Sequence, residues 1–122
     1  MTGESCPPIS GVVICFNEEG TIERCLKSLS FCDEIVVVDS GSTDRTRELC
    51  ERCTDRVIQQ EFLGYINQKN FALDHAIHDW VVCLDADEEL TPEAARSIRD
   101  AVASNDGTVA GYRLDRITYF LG

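Results

Sequence analysis

The fold class is indicated by the stretch Ile35–Ser42, which reads IVVVDSGS. Its first four residues are all β-branched and form an unbroken apolar run, the pattern of a short strand buried on both faces. Asp39 and the glycine at position 41 then end the strand, because glycine permits a tight bend. Ser42 is placed to cap a helix that runs to about Cys53, with Asp44 near its positive end. We therefore predict a strand that passes directly into a helix.

Strand-like and helix-like patterns alternate on both sides of this stretch. Short apolar runs predict further strands at residues 12–16, 57–58, 80–84 and 109–114, the last of them at an edge of the sheet. This alternation predicts an α/β fold with a mainly parallel sheet. Residues 1–9 are expected to form an N-terminal tail, and residues 10–122 a single domain.

Apolar residues at helical spacing predict the remaining helices. They begin near residues 22, 63 and 91, and the last one runs to about residue 103 after a Thr-Pro start signal. In the helix that begins near residue 63, Ile66, Leu73 and Ile77 are expected on one buried stripe. The polar residues Gln68, Lys69 and Asn70 of the same helix could simply face solvent, although Lys69 is one of few cations that could meet a phosphate.

The charge balance disfavours one large class of partner. The chain has 22 acidic and 11 basic residues, a formal net charge of −11, and no two Lys or Arg residues are adjacent. Proteins that bind nucleic acids normally carry a basic patch, so we expect no nucleic acid partner. A protein this acidic that handles phosphates would need a metal ion or a few well-placed cations.

The cysteines do not predict a disulfide scaffold. They number seven, which is odd, and residues 1–10 lack the signal-peptide pattern that would support an oxidising environment. Cys50 and Cys53 have zinc-knuckle spacing, but no second Cys/His pair with suitable spacing follows, so we interpret them as two cysteines along one helix. We expect a cytoplasmic protein, with peripheral attachment to the inner face of the membrane left open for a full-length chain.

Polar residues follow three of the predicted strands directly. They are Asn17-Glu18-Glu19 after the first, Asp39–Asp44 after the second and Asp85–Glu89 after the fourth. In an open parallel sheet, ligands bind outside the carboxyl ends of the strands, so these clusters are expected to share one ligand-binding edge. The prediction of the site depends on this convergence.

Asp85 and Asp87 are the most specific of these residues. Two carboxylates two residues apart at a strand end can bind a hard divalent cation together with phosphate oxygens. Such a cation would neutralise a diphosphate and stabilise it as a leaving group. The competing interpretation is a solvated pair of loop acids that caps the next helix. Asp39 also has two interpretations, as a turn residue or as a carboxylate that contacts a base or ribose.

Four segments, taken in order, resemble the family 2 glycosyltransferases. They are the sequences NEE at 17–19, DEIVVVDSGSTD at 33–44, GYINQKNFAL at 64–73 and DWVVCLDADE at 79–88. Their order and spacing are most similar to the branch that includes lipopolysaccharide-core glucosyltransferases. The resemblance covers the chain from Ser10 to Leu121.

The resemblance implies a GT-A fold whose Rossmann-like half binds a nucleotide sugar, commonly a UDP-sugar. It implies Mg²⁺ or Mn²⁺ held through Asp87, with Asp85 near the ribose or the waters of the metal. It assigns Asp39 to the base and places Lys69 near the nucleotide, where many relatives carry an arginine. The backbone around residues 13–17, which includes Phe16 and Asn17, would line the base pocket, and Glu19 would lie near it.

The resemblance also implies an inverting transfer to a glycan or lipid-linked acceptor. In the family the general base and most acceptor contacts lie well downstream of the Asp-x-Asp motif, so the catalytic base is expected beyond Gly122. We accordingly expect a truncated domain that supplies the donor and metal half. An apolar edge near Tyr119, Phe120 and Leu121 would then favour formation of a homo-oligomer.

Three other classes of function are alternatives. A receiver-like or other doubly wound module could bind Mg²⁺ or a nucleotide without catalysis, although Gln59 and Gln60 stand where a receiver would carry its phosphorylated aspartate. A nucleotidyltransferase would show a Gly-rich, basic loop after its first strand, and none is present. A catalytically inactive fragment with a role in assembly is the other alternative.

Overall fold

The computed structural model describes residues 7–104, 112–113 and 116–120, and it confirms the predicted α/β class. No helix within these ranges is long and apolar enough to cross a membrane. The elements in chain order are β1 (Ile9–Cys15), α1 (Ile22–Ser28), β2 (Glu34–Asp39), α2 (Thr46–Cys53), β3 (Arg56–Gln59), α3 (Tyr65–Asp74), β4 (Trp80–Asp85), α4 (Pro92–Ser104), β5 (Tyr112–Arg113) and β6 (Arg116–Phe120).

The sheet is mainly parallel and has the strand order β3-β2-β1-β4-β6-β5. β1 lies between β2 and β4 and pairs with both in parallel, and β3 and β6 continue the parallel set on either side. β5 pairs with β6 in the antiparallel sense at the edge. Of the strand predicted at 109–114, residues 112–113 are found at that edge, and the rest lies outside the described residues. β6 was not predicted because Arg116 and Thr118 interrupt its apolar run.

The core has two layers, one on each face of the sheet. On one face, Val13 of β1 packs in a cluster with residues of α1, α2 and α4, among them Leu26, Leu49 and Ile98. On the other face, Val12 packs with α3. Because neighbouring side chains of a strand point to opposite faces, the unbroken apolar run of β1 serves both layers at once.

The predicted stripe of α3 is wrong in two of its three members. Leu73 is buried, whereas Ile66 is 74% exposed and Ile77 is 69% exposed. The helix ends at Asp74, so Ile77 lies in the following loop. Ile66 lies in the first turn, where the buried position is taken by the polar Gln68 instead.

The end of the sheet opposite the predicted site is held by a partly buried carboxylate. Glu34 accepts hydrogen bonds from the Ser10 hydroxyl at 2.6 Å, the Ile77 amide at 2.7 Å and the Arg56 guanidinium at 2.7 Å. Burial raises the pKa of Glu34, but these three donors outweigh it and leave the pKa below its ordinary value. This network joins β1, β2, β3 and the loop before β4.

Candidate nucleotide and metal site

A cleft of about 510 Å³ lies at the carboxyl ends of β1, β2 and β4. This is the edge at which the sequence predicted ligand binding. Its lining comes from the ends of these strands and the loops that follow them, and from α3 with the segment before it. It includes Phe16, Glu18, Ser40, Phe62, Tyr65, Gln68, Asp85 and Asp87.

The turn after β4 places two carboxylates beside this cleft. The Asp85 amide donates to the Glu88 carboxylate at 2.9 Å, and the Glu88 amide donates to the Asp85 carbonyl at 2.9 Å. The Thr21 hydroxyl donates to the Ala86 carbonyl at 3.1 Å and fixes the next peptide. Asp87 is exposed, and its carboxylate makes no hydrogen bond or ion pair with the residues that the structure describes. Glu88 therefore shapes the turn, while Asp87 is an exposed residue of the cleft lining.

The carboxylate of Asp85 is held by two residues of α3. The Tyr65 hydroxyl lies 2.9 Å from both of its oxygens, and Lys69 Nζ lies 3.6 Å from Oδ1. Burial lowers the pKa of Lys69, but its hydrogen bond with Tyr65 and the charge of Asp85 outweigh that effect and raise the pKa above its ordinary value. Lys69 therefore stays a cation at neutral pH.

The loops after β1 and β2 are joined by side-chain hydrogen bonds to backbone amides. The Asn17 amide donates to Ser42 Oγ at 2.8 Å, and the Thr43 amide donates to Asn17 Oδ1 at 2.8 Å. The Arg45 amide donates to Glu19 Oε1 at 2.9 Å. Asn17 has a φ of 52°, in the left-handed region that asparagine tolerates better than most residues. We call this set of contacts, between residues 17–19 and 42–46, the loop clasp.

Asp39 is fully buried and serves the turn between β2 and α2. One of its oxygens accepts from the Gly41 amide at 3.2 Å and the Ser42 amide at 3.0 Å, and the other accepts from the Ser42 hydroxyl. Ser42 is thus not the predicted helix cap, since α2 begins only at Thr46. Asp44 does lie at the start of the helix, where its Oδ1 accepts from the Thr46 amide at 2.9 Å.

A family comparison agrees with this geometry. The sequence profile described as "Glycosyl transferase family 2" matches residues 10–120, nearly the whole chain. The chain belongs to glycosyl transferase family 2.

Named relatives within the family include a lipopolysaccharide enzyme. The chain is 38% identical over 120 residues to the lipopolysaccharide core biosynthesis glycosyltransferase LpsC of Rhizobium meliloti, a match that covers 94% of this chain and 44% of LpsC. It is 40% identical over 99 residues to an uncharacterized glycosyltransferase of Rickettsia felis, covering 80% of this chain and 35% of that protein. The chain thus spans less than half the length of these curated relatives.

Solved glycosyltransferase structures share the fold. Residues 1–349 of S. aureus TarS superpose with a TM-score of 0.69 at 25% identity, covering 87% of this chain and 38% of TarS. Glucosyl-3-phosphoglycerate synthase of Mycobacterium tuberculosis superposes with a TM-score of 0.59 at 29% identity, covering 68% of this chain and 36% of the synthase. That synthase was crystallised with Mn²⁺, UDP and glucosyl-3-phosphoglycerate.

The predicted site residues of this family 2 chain fall into two groups. Phe16, Asp85 and Asp87 line the cleft, and Lys69 contacts Asp85 at its border. The others hold loops together and are not among the residues that line the cleft, namely Asn17, Glu19 and Asp39. Their roles toward a nucleotide stay predictions.

Several lining residues were missed by the sequence analysis. Gln68 is fully buried rather than solvent-facing, and its amide donates to Ser40 Oγ and to the Gln60 carbonyl, each at 3.2 Å. Phe62 lies in the segment that leads into α3, and Tyr65 is the first residue of that helix. Tyr65 and Gln68 belong to the segment GYINQKNFAL that carries the family resemblance, which was the signal that could have identified them.

The carboxylates present suit a cation whose remaining ligands come from substrate phosphates and water. No group of three or more His, Cys, Asp or Glu side chains able to enclose a metal occurs within the described parts of the chain. Mg²⁺ is commonly held by one or two carboxylates together with substrate phosphates and water, and Asp85 and Asp87 match that set. Cys50 is buried in the core next to α1, so the zinc-knuckle interpretation has no support among these residues.

Proposed function

We propose that the cleft binds a UDP-sugar with Mg²⁺ or Mn²⁺, and that this chain supplies the donor half of an inverting glycosyltransferase. The observation that carries the proposal is the position of Asp85 and Asp87 at the end of β4, beside a cleft with aromatic walls. The cleft volume of about 510 Å³ lies in the range of small-molecule and cofactor sites. The UDP and Mn²⁺ named for glucosyl-3-phosphoglycerate synthase support the choice of base and metal.

The proposed chemistry uses the charged and aromatic side chains at the cleft. Asp87 would hold the cation, whose charge would neutralise the diphosphate and stabilise it as the leaving group. Lys69 would supply a second positive charge near the phosphates, and Phe16 an apolar wall for the base. The acceptor hydroxyl loses its proton to a general base and attacks the anomeric carbon as the bond to the diphosphate breaks, which inverts that carbon.

The acceptor is proposed from the named relatives. The similarity to LpsC favours a glycan or lipid-linked acceptor of the lipopolysaccharide type. The described residues provide no assigned general base, since Glu88 is engaged in the turn through the Asp85 amide. The catalytic base stays a prediction.

Calorimetric titration of UDP and UDP-glucose, with and without Mn²⁺, tests the donor site. We expect binding that requires Mn²⁺ and falls on the order of 100-fold in Asp87→Ala, because the variant loses a direct ligand of the cation. Asp100→Ala is the matched control, since it removes an exposed carboxylate from α4, far along the chain from the turn. Equal affinity with and without metal, or an equal loss in both variants, would contradict the proposal.

A further inference from the structure

The contact between Tyr65 and Asp85 has no part in the function proposed above. Tyr65 is the first residue of α3, yet its hydroxyl reaches the last residue of β4 and lies 2.9 Å from both oxygens of the Asp85 carboxylate. Asp85 has its other partner in Lys69, four residues along α3. Residues four apart share one face of a helix, so α3 presents a phenol and an ammonium to the same carboxylate.

The backbone around the start of α3 holds Tyr65 near Asp85. Gly64 precedes Tyr65 with a φ of 97° and a ψ of 153°, a conformation that is essentially restricted to glycine. One turn later, the buried Gln68 fixes the helix through the Leu63 amide, Ser40 and the Gln60 carbonyl. The first turn of α3 is therefore anchored, and Tyr65 is held over the cleft rather than left to move with a loop.

The surrounding charges explain what such a contact can do. Asp85 and Asp87 are two residues apart and both carry negative charge, so a cation that enters the cleft would attract both. A hydrogen bond from a neutral phenol and an ion pair with Lys69 satisfy the Asp85 carboxylate within the protein. Asp87, with no such partner among the described residues, remains available.

We propose that Tyr65 is a positioning residue of the donor site. Its hydroxyl, together with Lys69, holds Asp85 against α3, so that Asp87 is the carboxylate that meets the incoming cation. The inference rests on the proposed binding of a metal and a nucleotide diphosphate, and it assigns a role to a residue outside the Asp-x-Asp motif.

A double-mutant cycle tests this role. Binding of UDP in the presence of Mn²⁺ is measured by calorimetry for wild type, Tyr65→Phe, Asp85→Ala and the double variant. We expect Tyr65→Phe to weaken binding roughly tenfold, since a hydrogen bond to a charged group is lost while the ring over Lys69 is kept. In the Asp85→Ala background the same change should have almost no effect, because the hydroxyl then has no carboxylate to hold.

Two further measurements separate positioning from a structural role. Tyr65→Phe should keep the melting temperature of wild type, and Ile66→Ala, the exposed neighbour on α3, should keep both the melting temperature and the affinity. The electron paramagnetic resonance spectrum of bound Mn²⁺ should change in Tyr65→Phe, because a released Asp85 can reach the cation.

The outcomes are distinct from those of the proposed function. Suppose that wild type binds UDP with Mn²⁺ and Asp87→Ala does not. If Tyr65→Phe then binds as tightly as wild type, or if the losses of affinity in Tyr65→Phe and Asp85→Ala simply add in the double variant, only the positioning role is overturned. If wild type binds no UDP with Mn²⁺, the proposed function and the positioning role both fail.

Discussion

The loop clasp after β1 and β2 and the turn after β4 lie at the same edge of the sheet, but they use their carboxylates differently. In the clasp and the adjoining turn, Glu19 and Asp39 accept hydrogen bonds from backbone amides of their own or the neighbouring loop. In the turn after β4, Asp85 is held by side chains of α3, and Asp87 by no described residue. Position at this edge of the sheet predicts the region of a site, while the hydrogen-bond partners show which of its carboxylates are already engaged within the fold.

The largest effect expected from this comparison is on stability, at Asp39. Replacement of Asp39 by alanine should lower the free energy of unfolding by about 3 kcal/mol, because the Gly41 and Ser42 amides and the Ser42 hydroxyl lose a charged acceptor that is itself fully buried. Urea denaturation followed by circular dichroism measures the change. Asp39→Asn should cost less, since an amide oxygen can still accept from the backbone.

One result at Asp39 would contradict this contrast between the two regions. An Asp39→Ala protein that is as stable as wild type but no longer binds UDP with Mn²⁺ would show that this carboxylate serves the nucleotide, as the family resemblance implies. A loss of stability with affinity retained in the folded fraction would place Asp39 with the structural residues.

A smaller effect is expected at the glycine of the same turn. Gly41→Ala should lower the free energy of unfolding by about 1 kcal/mol, because its φ of 92° strains any residue with a Cβ, although no atom lies within 4 Å of the added methyl group. Gly20→Ala is the matched control, since its surroundings are equally open and its φ is not in the positive range. Equal changes in the two variants would show that strain at position 41 is absent.

The smallest effect is expected at Asp87. In metal-free buffer with a chelator, Asp87→Ala should change the free energy of unfolding by less than about 0.5 kcal/mol, because no described residue loses a partner and repulsion from Asp85 is relieved. Urea denaturation beside Asp39→Ala measures the contrast directly. A loss above about 1 kcal/mol would mean that Asp87 supports the fold, and the distinction between the two regions would disappear.

The sequence predicted the strands and helices better than the hydrogen-bond partners of individual side chains. The buried strands were recognisable because β-branched apolar runs between turn residues have few other stable conformations. The start of α4 was also correct, with the Thr91 hydroxyl accepting from the Ala94 amide at 3.0 Å. Ser42 was misassigned because a serine that follows Asp39 can hydrogen-bond to that carboxylate as readily as it can cap a helix.

The cytoplasmic location and self-association through the C-terminal edge stay predictions.

By itself, the sequence determined the α/β class and the edge of the sheet at which polar residues gather, because these follow from local patterns of apolar and turn residues. It indicated the family through the resemblance of four segments taken in order. Only the tertiary structure decided which of those residues hydrogen-bond within the fold and which remain exposed at the cleft. Tyr65 and Asp85 are 20 residues apart in the chain, and Asn17 and Thr43 are 26 apart. Contacts of this kind depend on how β1, β2 and β4 bring their following loops together, and no local pattern encodes which carboxylate finds a partner.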